Sequence, residues 1–193
     1  TCENKYTVTR TYRATDASGN YAECSQIITV DDQTPPTITA PSPVTVQCTS
    51  AVPNYATNYS SFILLSGASV TDNCSTGAIT VTHVGDAVSN QSCVNKYTLT
   101  RTYRATDACG NFADCKQVIT VNDITPPTFT TPANKTIACG DSKDPENTGL
   151  PVINTGNCGE TNQTYSYVDA WQTGPGCNGT GVIARTWSVT DQC

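Results

Sequence analysis

The chain has few of the side chains that carry most protein chemistry. It holds one histidine, His83, no methionine, and only 26 charged residues in 193 (10 basic plus 16 acidic). A lone histidine leaves no basis for His-dependent catalysis or a His-rich metal site. The net charge of −6 excludes a nucleic-acid surface, which needs clustered Lys and Arg to displace counterions. The longest apolar run, Phe62-Ile63-Leu64-Leu65, falls far short of the roughly 18 residues of a membrane helix, so no membrane insertion is expected. No G-x-S-x-G elbow, phosphate loop or Cys/His nucleophile pair occurs, and the few acidic residues fall in turns. The sequence therefore does not point to an enzyme.

What is abundant is threonine, with 34 positions, and cysteine, with 11. Thr, Val, Ile and Tyr dominate short runs that alternate in polarity. In Tyr6–Arg13, residues Tyr6, Val8, Arg10 and Tyr12 share one face and threonines fill the other. Residues 27–30, 44–46 and 78–82 read the same way. Cβ branching suits a pleated, half-buried surface. Gly, Asn, Asp and Pro clusters separate the runs, as in an antiparallel all-β sandwich.

An internal repeat sets the organisation. A shift of 91 residues lays Cys2–Pro36 on Cys93–Pro127 without a gap, with 26 of 35 positions identical. A more distant third copy follows. Cys139 answers Cys48, Asn157-Cys158 answers Asn73-Cys74, and Arg185–Cys193 answers Arg101–Cys109 at an offset of 84. The unit of about 91 residues has the size of an immunoglobulin-like sandwich. The expected domains are 1–33, the last part of a first repeat; 34–124, a complete repeat; and 125–193, a third repeat that stops before its last strand. That phase implies a segment of a longer tandem array. The junctions, ending in Thr34-Pro35-Pro36 and Thr125-Pro126-Pro127, carry no Gly/Ser run, and paired prolines favour a stiff, extended connection.

The cysteines show no C-x-x-C pair and no nearby histidine, so disulfides are expected rather than zinc. Small β-domains with thin cores in oxidising compartments use this chemistry. In a seven-strand sandwich, Cys74 follows strand B and Cys109 follows strand F, so both sit at the end where the domain begins. Cys48 closes strand A and Cys93 precedes strand F, at the opposite end. This predicts Cys48–Cys93 and Cys74–Cys109, and by analogy Cys139–Cys177 and Cys158–Cys193. Cys74–Cys115 remains an alternative, because Ser18 stands where Cys109 would be in copy one while Cys24 is kept.

An acidic pattern recurs with the repeat. Each junction has an aspartate, Asp32 or Asp123; each F–G turn reads Asp-x-x-Gly-Asn, from Asp16 and from Asp107; the B–C loop adds Asp72, and Asp191 answers Asp107. Oxygen ligands gathered at a junction suit a hard cation such as Ca²⁺, expected on Asp32 with Asp72 or Asp107, and on Asp123 with Asp191. The same residues also serve ordinary tight turns, and both readings stand. Six N-x-[ST] sequons, at Asn58, Asn73, Asn90, Asn134, Asn162 and Asn178, are candidate glycosylation sites if the source is a eukaryote. Tyr55 and Tyr59 lie in a long loop that either covers the sandwich edge or contacts a ligand. Copy three carries Tyr165, Tyr167 and Trp171 where it aligns poorly with copy two.

The stretch T-R-T-Y-R-A-T-D-A-C-G-N (100–111), followed by Q-V-I-T-V-N-D-I-T-P-P (117–127), resembles the hyalin-type (HYR-like) repeats of very large bacterial surface proteins. It is most similar to the SprB-type adhesins of gliding Bacteroidetes, and the likeness runs through every copy. The resemblance implies immunoglobulin-like domains in long arrays, type IX export to the extracellular cell surface, and a role in attachment or gliding motility. It assigns no catalytic residues. Animal hyalin-type domains carry a cysteine before the first strand, where this chain has Ala40-Pro41 and Thr131-Pro132, so their disulfide scheme is not transferred. The expected function is a structural stalk or filament segment that projects binding elements from the cell. Its partners would be neighbouring repeats of the same chain, and surface polysaccharide or substratum. The alternative is a glycan- or surface-binding module using loops such as 54–60.

Overall fold

The computed structural model describes residues 2–74, 79–174 and 180–193. Cys177 and Asn178 lie outside the described residues. The chain is all-β, as its alternating runs demand. The strands are β1 (Lys5–Thr15), β2 (Tyr21–Asp31), β3 (Thr37–Thr39), β4 (Val44–Val46), β5 (Ser69–Thr71), β6 (Thr80–Cys93), β7 (Lys96–Thr106), β8 (Phe112–Asn122), β9 (Phe129–Thr130), β10 (Val152–Ile153), β11 (Thr164–Thr173) and β12 (Val182–Thr190). Two single-turn helices, α1 (Tyr59–Phe62) and α2 (Pro145–Thr148), interrupt them. β6, β7, β8 and β4 form a four-stranded sheet in the order β4-β8-β7-β6; the pairs β1-β2, β3-β5, β9-β10 and β11-β12 form two-stranded sheets. No helix among the described residues is long and apolar enough to cross a membrane.

The chain forms two compact units. The first comprises Thr1–Val44, Pro53–Ser89 and Thr98–Ile119. Its β1-β2 hairpin runs in unbroken register from Lys5↔Asp31 to Thr15↔Tyr21. The turn that closes it is written by D-A-S-G-N. The Asp16 carboxylate accepts from the backbone N–H of Ser18 and Asn20, both at 2.9 Å, and Gly19 takes a φ of 87° that side chains with a Cβ avoid. β7 and β8 are joined by the same turn, built on Asp107 with Gly110 at φ 92°. The core gathers Val70 of β5, Val81 of β6, and Tyr103 and Ala105 of β7 with Ala56 and Phe62; Ile38 of β3 and Tyr59 pack against it. Residues of the β3-β5 pair and of the larger sheet thus meet in one apolar layer. α1 exists to deliver Phe62 to that layer. Asn58 caps it, accepting from Ser61 N at 2.9 Å while Ser61 answers the Asn58 backbone.

The second unit comprises Thr45–Val52, Asn90–Tyr97 and Thr120–Cys193. Its apolar core is thin, with Tyr97 and Val121 as its buried large side chains among the described residues. β11 and β12 pair from Thr164↔Thr190 to Trp171↔Ile183, then shift register before Thr173. Two disulfides hold this unit, Cys48–Cys158 and Cys93–Cys193, closing separations of 110 and 100 residues. Each alone contributes about 4–5 kcal/mol in the chain-entropy model, which a thin core requires.

The disulfide pairing corrects the sequence-based expectation. Cys48 bonds Cys158, not Cys93; Cys93 bonds Cys193; Cys109 bonds Cys2, with Cα atoms 4.7 Å apart. Cys74–Cys109 and Cys158–Cys193 therefore do not form, and Cys74 and Cys115 are free thiols, so the Cys74–Cys115 alternative fails as well. Cys139 has no partner among the described residues, and its expected partner Cys177 lies outside them. Cys48 and Cys93 do lie at the same end, as expected: Thr49 N donates to Asn95 Oδ1 at 2.9 Å. Each turns instead to a cysteine of the following copy. Spacing shows which end of a repeat a cysteine occupies; it does not show that the next repeat reaches it first. The disulfides indicate an oxidising, extracellular environment.

Candidate functional site

Two clusters of carboxylates stand out, one in each unit: Asp32, Asp72 and Asp107, and Asp123, Glu160 and Asp191. In each, one ligand atom per residue lies within 4.8 Å of the other two. Strand ends set the first cluster. Asp32 follows β2, Asp72 follows β5, and Asp107 follows β7, so three strands of the first unit deliver their terminal carboxylates to one place.

Each carboxylate is oriented through hydrogen bonds. Asp32 Oδ1 accepts from Thr34 N at 3.1 Å, and Asp72 Oδ1 from Cys74 N at 3.0 Å. Asp107 Oδ1 accepts from Cys109 N at 2.8 Å and Asn111 N at 2.9 Å, and its Oδ2 from Asn111 Nδ2 at 2.9 Å. Asn111 Nδ2 also donates to the Asp32 carbonyl at 3.1 Å. Burial opposes ionisation of Asp107, but the bonds from Asn111 and the turn N–H groups outweigh it and hold the carboxyl below its usual range. Partial desolvation, and then the Asp32 and Asp72 carboxylates, push the neighbouring Cys74 thiol up.

The second cluster repeats the first. Asp123 N donates to the Asn95 carbonyl at 2.9 Å, as Asp32 N donates to that of Asn4 at 3.1 Å. Asp123 Oδ1 accepts from Thr125 N at 3.0 Å, and Asp191 Oδ1 from Cys193 N at 2.9 Å. The disulfides match too: Cys2–Cys109 beside the first cluster, Cys93–Cys193 beside the second. The third ligand differs. The position that answers Asp72 is Gly156, which carries no carboxylate. Glu160 supplies one: its Oε2 lies 3.4 Å from where a Cβ on Gly156 would sit, and Asn95 Nδ2 donates to its Oε1 at 2.6 Å.

Both groups are acidic and largely buried. Asp32, Asp123 and Glu160 are 8%, 5% and 9% exposed, yet Asp32 Oδ2, Asp123 Oδ2 and Glu160 Oε2 have no hydrogen-bond partner. None of Asp32, Asp107, Asp123, Glu160 and Asp191 pairs with Lys or Arg among the described residues; the ion pairs employ Asp31, Glu23, Asp86, Asp114 and Asp169. Two ionised carboxylates 4.8 Å apart or closer would repel by at least about 3 kcal/mol at an effective dielectric of 20.

The other candidate residues lie apart from these clusters. Tyr59 packs on the core, and Tyr55, itself about half exposed, stacks on His83 at 4.0 Å. His83 itself bonds Asp86 at 2.8 Å, and Asp86 grips the buried Arg101 through Nε and Nη2. Trp171 is exposed, with Lys143 Nζ 5.5 Å from its ring. Asn58, Asn73, Asn90, Asn134 and Asn162 are exposed, and Asn58 doubles as the α1 cap.

The expectation for Asp32, Asp72 and Asp107, and for Asp123 with Asp191, placed together residues that the structure does bring together. The repeat places Gly156 opposite Asp72 and so gives no cue to Glu160; the signal available was an acidic residue four positions further along, just past Cys158. No family model matches the chain, and no solved structure matches it.

Proposed function

We propose that the chain is a tension-resisting stalk segment of an extracellular tandem-repeat adhesin, built from immunoglobulin-like sandwich units and projecting binding elements from a cell surface for attachment or gliding. The observation that carries this reading is the disulfide pattern. The three bonds among the described residues each join one copy of the repeat to the next: Cys2 of the first to Cys109 of the second, and Cys48 and Cys93 of the second to Cys158 and Cys193 of the third. Cys74 answers Cys158 and Cys139 answers Cys48. In a continuing array these two thiols take the corresponding partners in the copies on either side.

Such staples alter how force travels. The shortest covalent path from Cys2 to Cys193 crosses to Cys109, runs back 16 residues (109 − 93) to Cys93, and crosses to Cys193. Even fully unfolded, that path spans about 60 Å, against about 650 Å for the reduced chain. Single-molecule stretching from the two ends tests this. Oxidised chains should stop within about 100 Å and reductant should release the full contour length. Release of several hundred ångströms without reductant would remove the mechanical basis of the stalk.

A second reading, a glycan- or surface-binding module, draws on the β11-β12 hairpin. There Tyr165 and Tyr167 pack against Trp187 at 5.6 and 5.4 Å, and Trp171 lies exposed along the same strand. A ladder of this kind suits stacking on sugar rings. Glycan-array binding lost in Trp171→Ala would favour it over the stalk.

A further inference from the structure

We propose that the chain binds two Ca²⁺ ions, one held by Asp32, Asp72 and Asp107 and the other by Asp123, Glu160 and Asp191. The inference does not depend on the stalk reading.

Tight-turn chemistry accounts for part of these clusters and stops there. It explains why Asp107 Oδ1 takes two backbone N–H groups, and why Asp191 Oδ1 takes one. It does not explain why three carboxylates are brought within 4.8 Å in each of two units, nor why none of Asp32, Asp107, Asp123, Glu160 and Asp191 pairs with Lys or Arg among the described residues. Nor does it explain the orphan oxygens. Asp32, Asp123 and Glu160 are each anchored through one oxygen, by Thr34 N, Thr125 N and Asn95 Nδ2, while the other oxygen is buried without a partner. A carboxylate fixed by one oxygen with the other left bare is an oriented ligand. Buried polar atoms are otherwise nearly always satisfied.

The donor set selects the ion. All six ligands are carboxylates, hard oxygen donors that suit Ca²⁺ or Mg²⁺ and not the nitrogen and thiolate preference of Zn²⁺. Three protein carboxylates per site favour Ca²⁺, which accepts irregular cages of protein oxygens, over Mg²⁺, which keeps several waters and takes one or two carboxylates. The replacement of Asp72 by Glu160 carries further weight. Where the repeat puts glycine, a longer acidic side chain from four residues on restores the third carboxylate. A turn has no need of that restoration; an ion does.

Titration of chelator-stripped protein with CaCl₂ by calorimetry tests the proposal. Two equivalents should bind, with half-saturation below about 1 mM as in other extracellular modules. Asp32→Asn and Glu160→Gln should each bind one. In chelator both variants should melt no lower than the wild type, because a repelling charge is gone, and in CaCl₂ both should melt lower. The control Asp31→Asn, a surface carboxylate paired with Lys5, should keep two equivalents. No saturable binding by the folded wild type up to about 10 mM, or two equivalents retained in both site variants, overturns the proposal. Loss of an equivalent in the control shows diffuse charge attraction and overturns it equally. Saturation by MgCl₂ with equal affinity overturns the assignment to calcium.

Discussion

β1 and β7 are nearly the same peptide in two different situations. Lys5–Thr15 reads KYTVTRTYRAT and Lys96–Thr106 reads KYTLTRTYRAT, with one methylene-scale difference at Val8/Leu99. In β7 every second residue is buried: Tyr97 and Leu99 are 8% exposed, and Tyr103 is fully enclosed. In β1 the whole strand is exposed, with Tyr6 at 50% and Tyr12 at 48%. β1 pairs with β2 alone, whereas β7 lies between β8 and β6 and turns its apolar face to the core. Arg10 and Arg101 show the same divergence. Among the described residues Arg10 hydrogen-bonds only the Tyr12 hydroxyl, at 3.4 Å. Arg101 is buried, holds Asp86, and donates to the Pro53 carbonyl at 2.8 Å. An alternating strand therefore specifies a face, and its neighbours decide whether that face is a core. The burial of apolar area, rather than the strand itself, supplies most of the stability.

The largest test of this comparison is the tyrosine pair. Tyr103 packs edge-on against Phe62 at 5.0 Å and its hydroxyl accepts from Ala56 N at 3.1 Å. Tyr103→Ala should cost about 3–5 kcal/mol in denaturant unfolding, whereas Tyr12→Ala should cost less than about 1. Equal costs would mean that β1 also buries its face in solution.

The arginine pair comes next. Asp86→Asn leaves the buried Arg101 guanidinium without its anion, and should cost about 3 kcal/mol; Arg10→Ala should be close to neutral. The pH dependence follows from the same pair. The Arg101 hydrogen bond holds the Asp86 carboxyl below its usual value, with burial opposing it and His83 assisting. A depressed folded-state pKa contributes stability above the unfolded value, and that stability is lost as pH falls through the folded value. Acid titration of the unfolding free energy should show this loss in the wild type, and a shallower slope in Asp86→Asn.

The smallest test sharpens the comparison in the partner strands. Cys24 of β2 and Cys115 of β8 are related by the same 91-residue shift (115 − 24). Cys24 is exposed and Cys115 half-buried, and burial, with a smaller effect of Asp114, pushes the Cys115 thiol up to about 11. Alkylation followed by mass spectrometry at neutral pH should label Cys24 at least about tenfold faster. Comparable rates would show that β8 opens as readily as β2.

Some of this was open to reading from the residues. The Tyr97, Leu99, Arg101, Tyr103 face follows from period-two alternation, and the Asp-x-x-Gly-Asn turns from the φ > 0 that Gly19 and Gly110 adopt. The meeting of Asp32 with Asp72 and Asp107 was legible because all three recur at strand ends of a repeating unit. Phe62 was not legible as a core residue. Its run of four apolar residues gives no period, and only the Asn58 cap turns the chain so that Phe62 is buried while Leu64 stays 83% exposed.

The sequence by itself determined the strands, their faces, the turns and the repeat, because these depend on local backbone preference and a spacing of two residues. Tertiary structure alone decided which of two almost identical strands forms a core, which cysteine of the next copy reaches Cys48 and Cys93, and that Glu160 takes the place denied to Gly156. These outcomes depend on contacts between residues about 40 to 110 positions apart, as in Phe62 with Tyr103, Asn95 with Glu160 and Cys48 with Cys158. Local preference is blind to separations of that length, and only the packed chain fixes them.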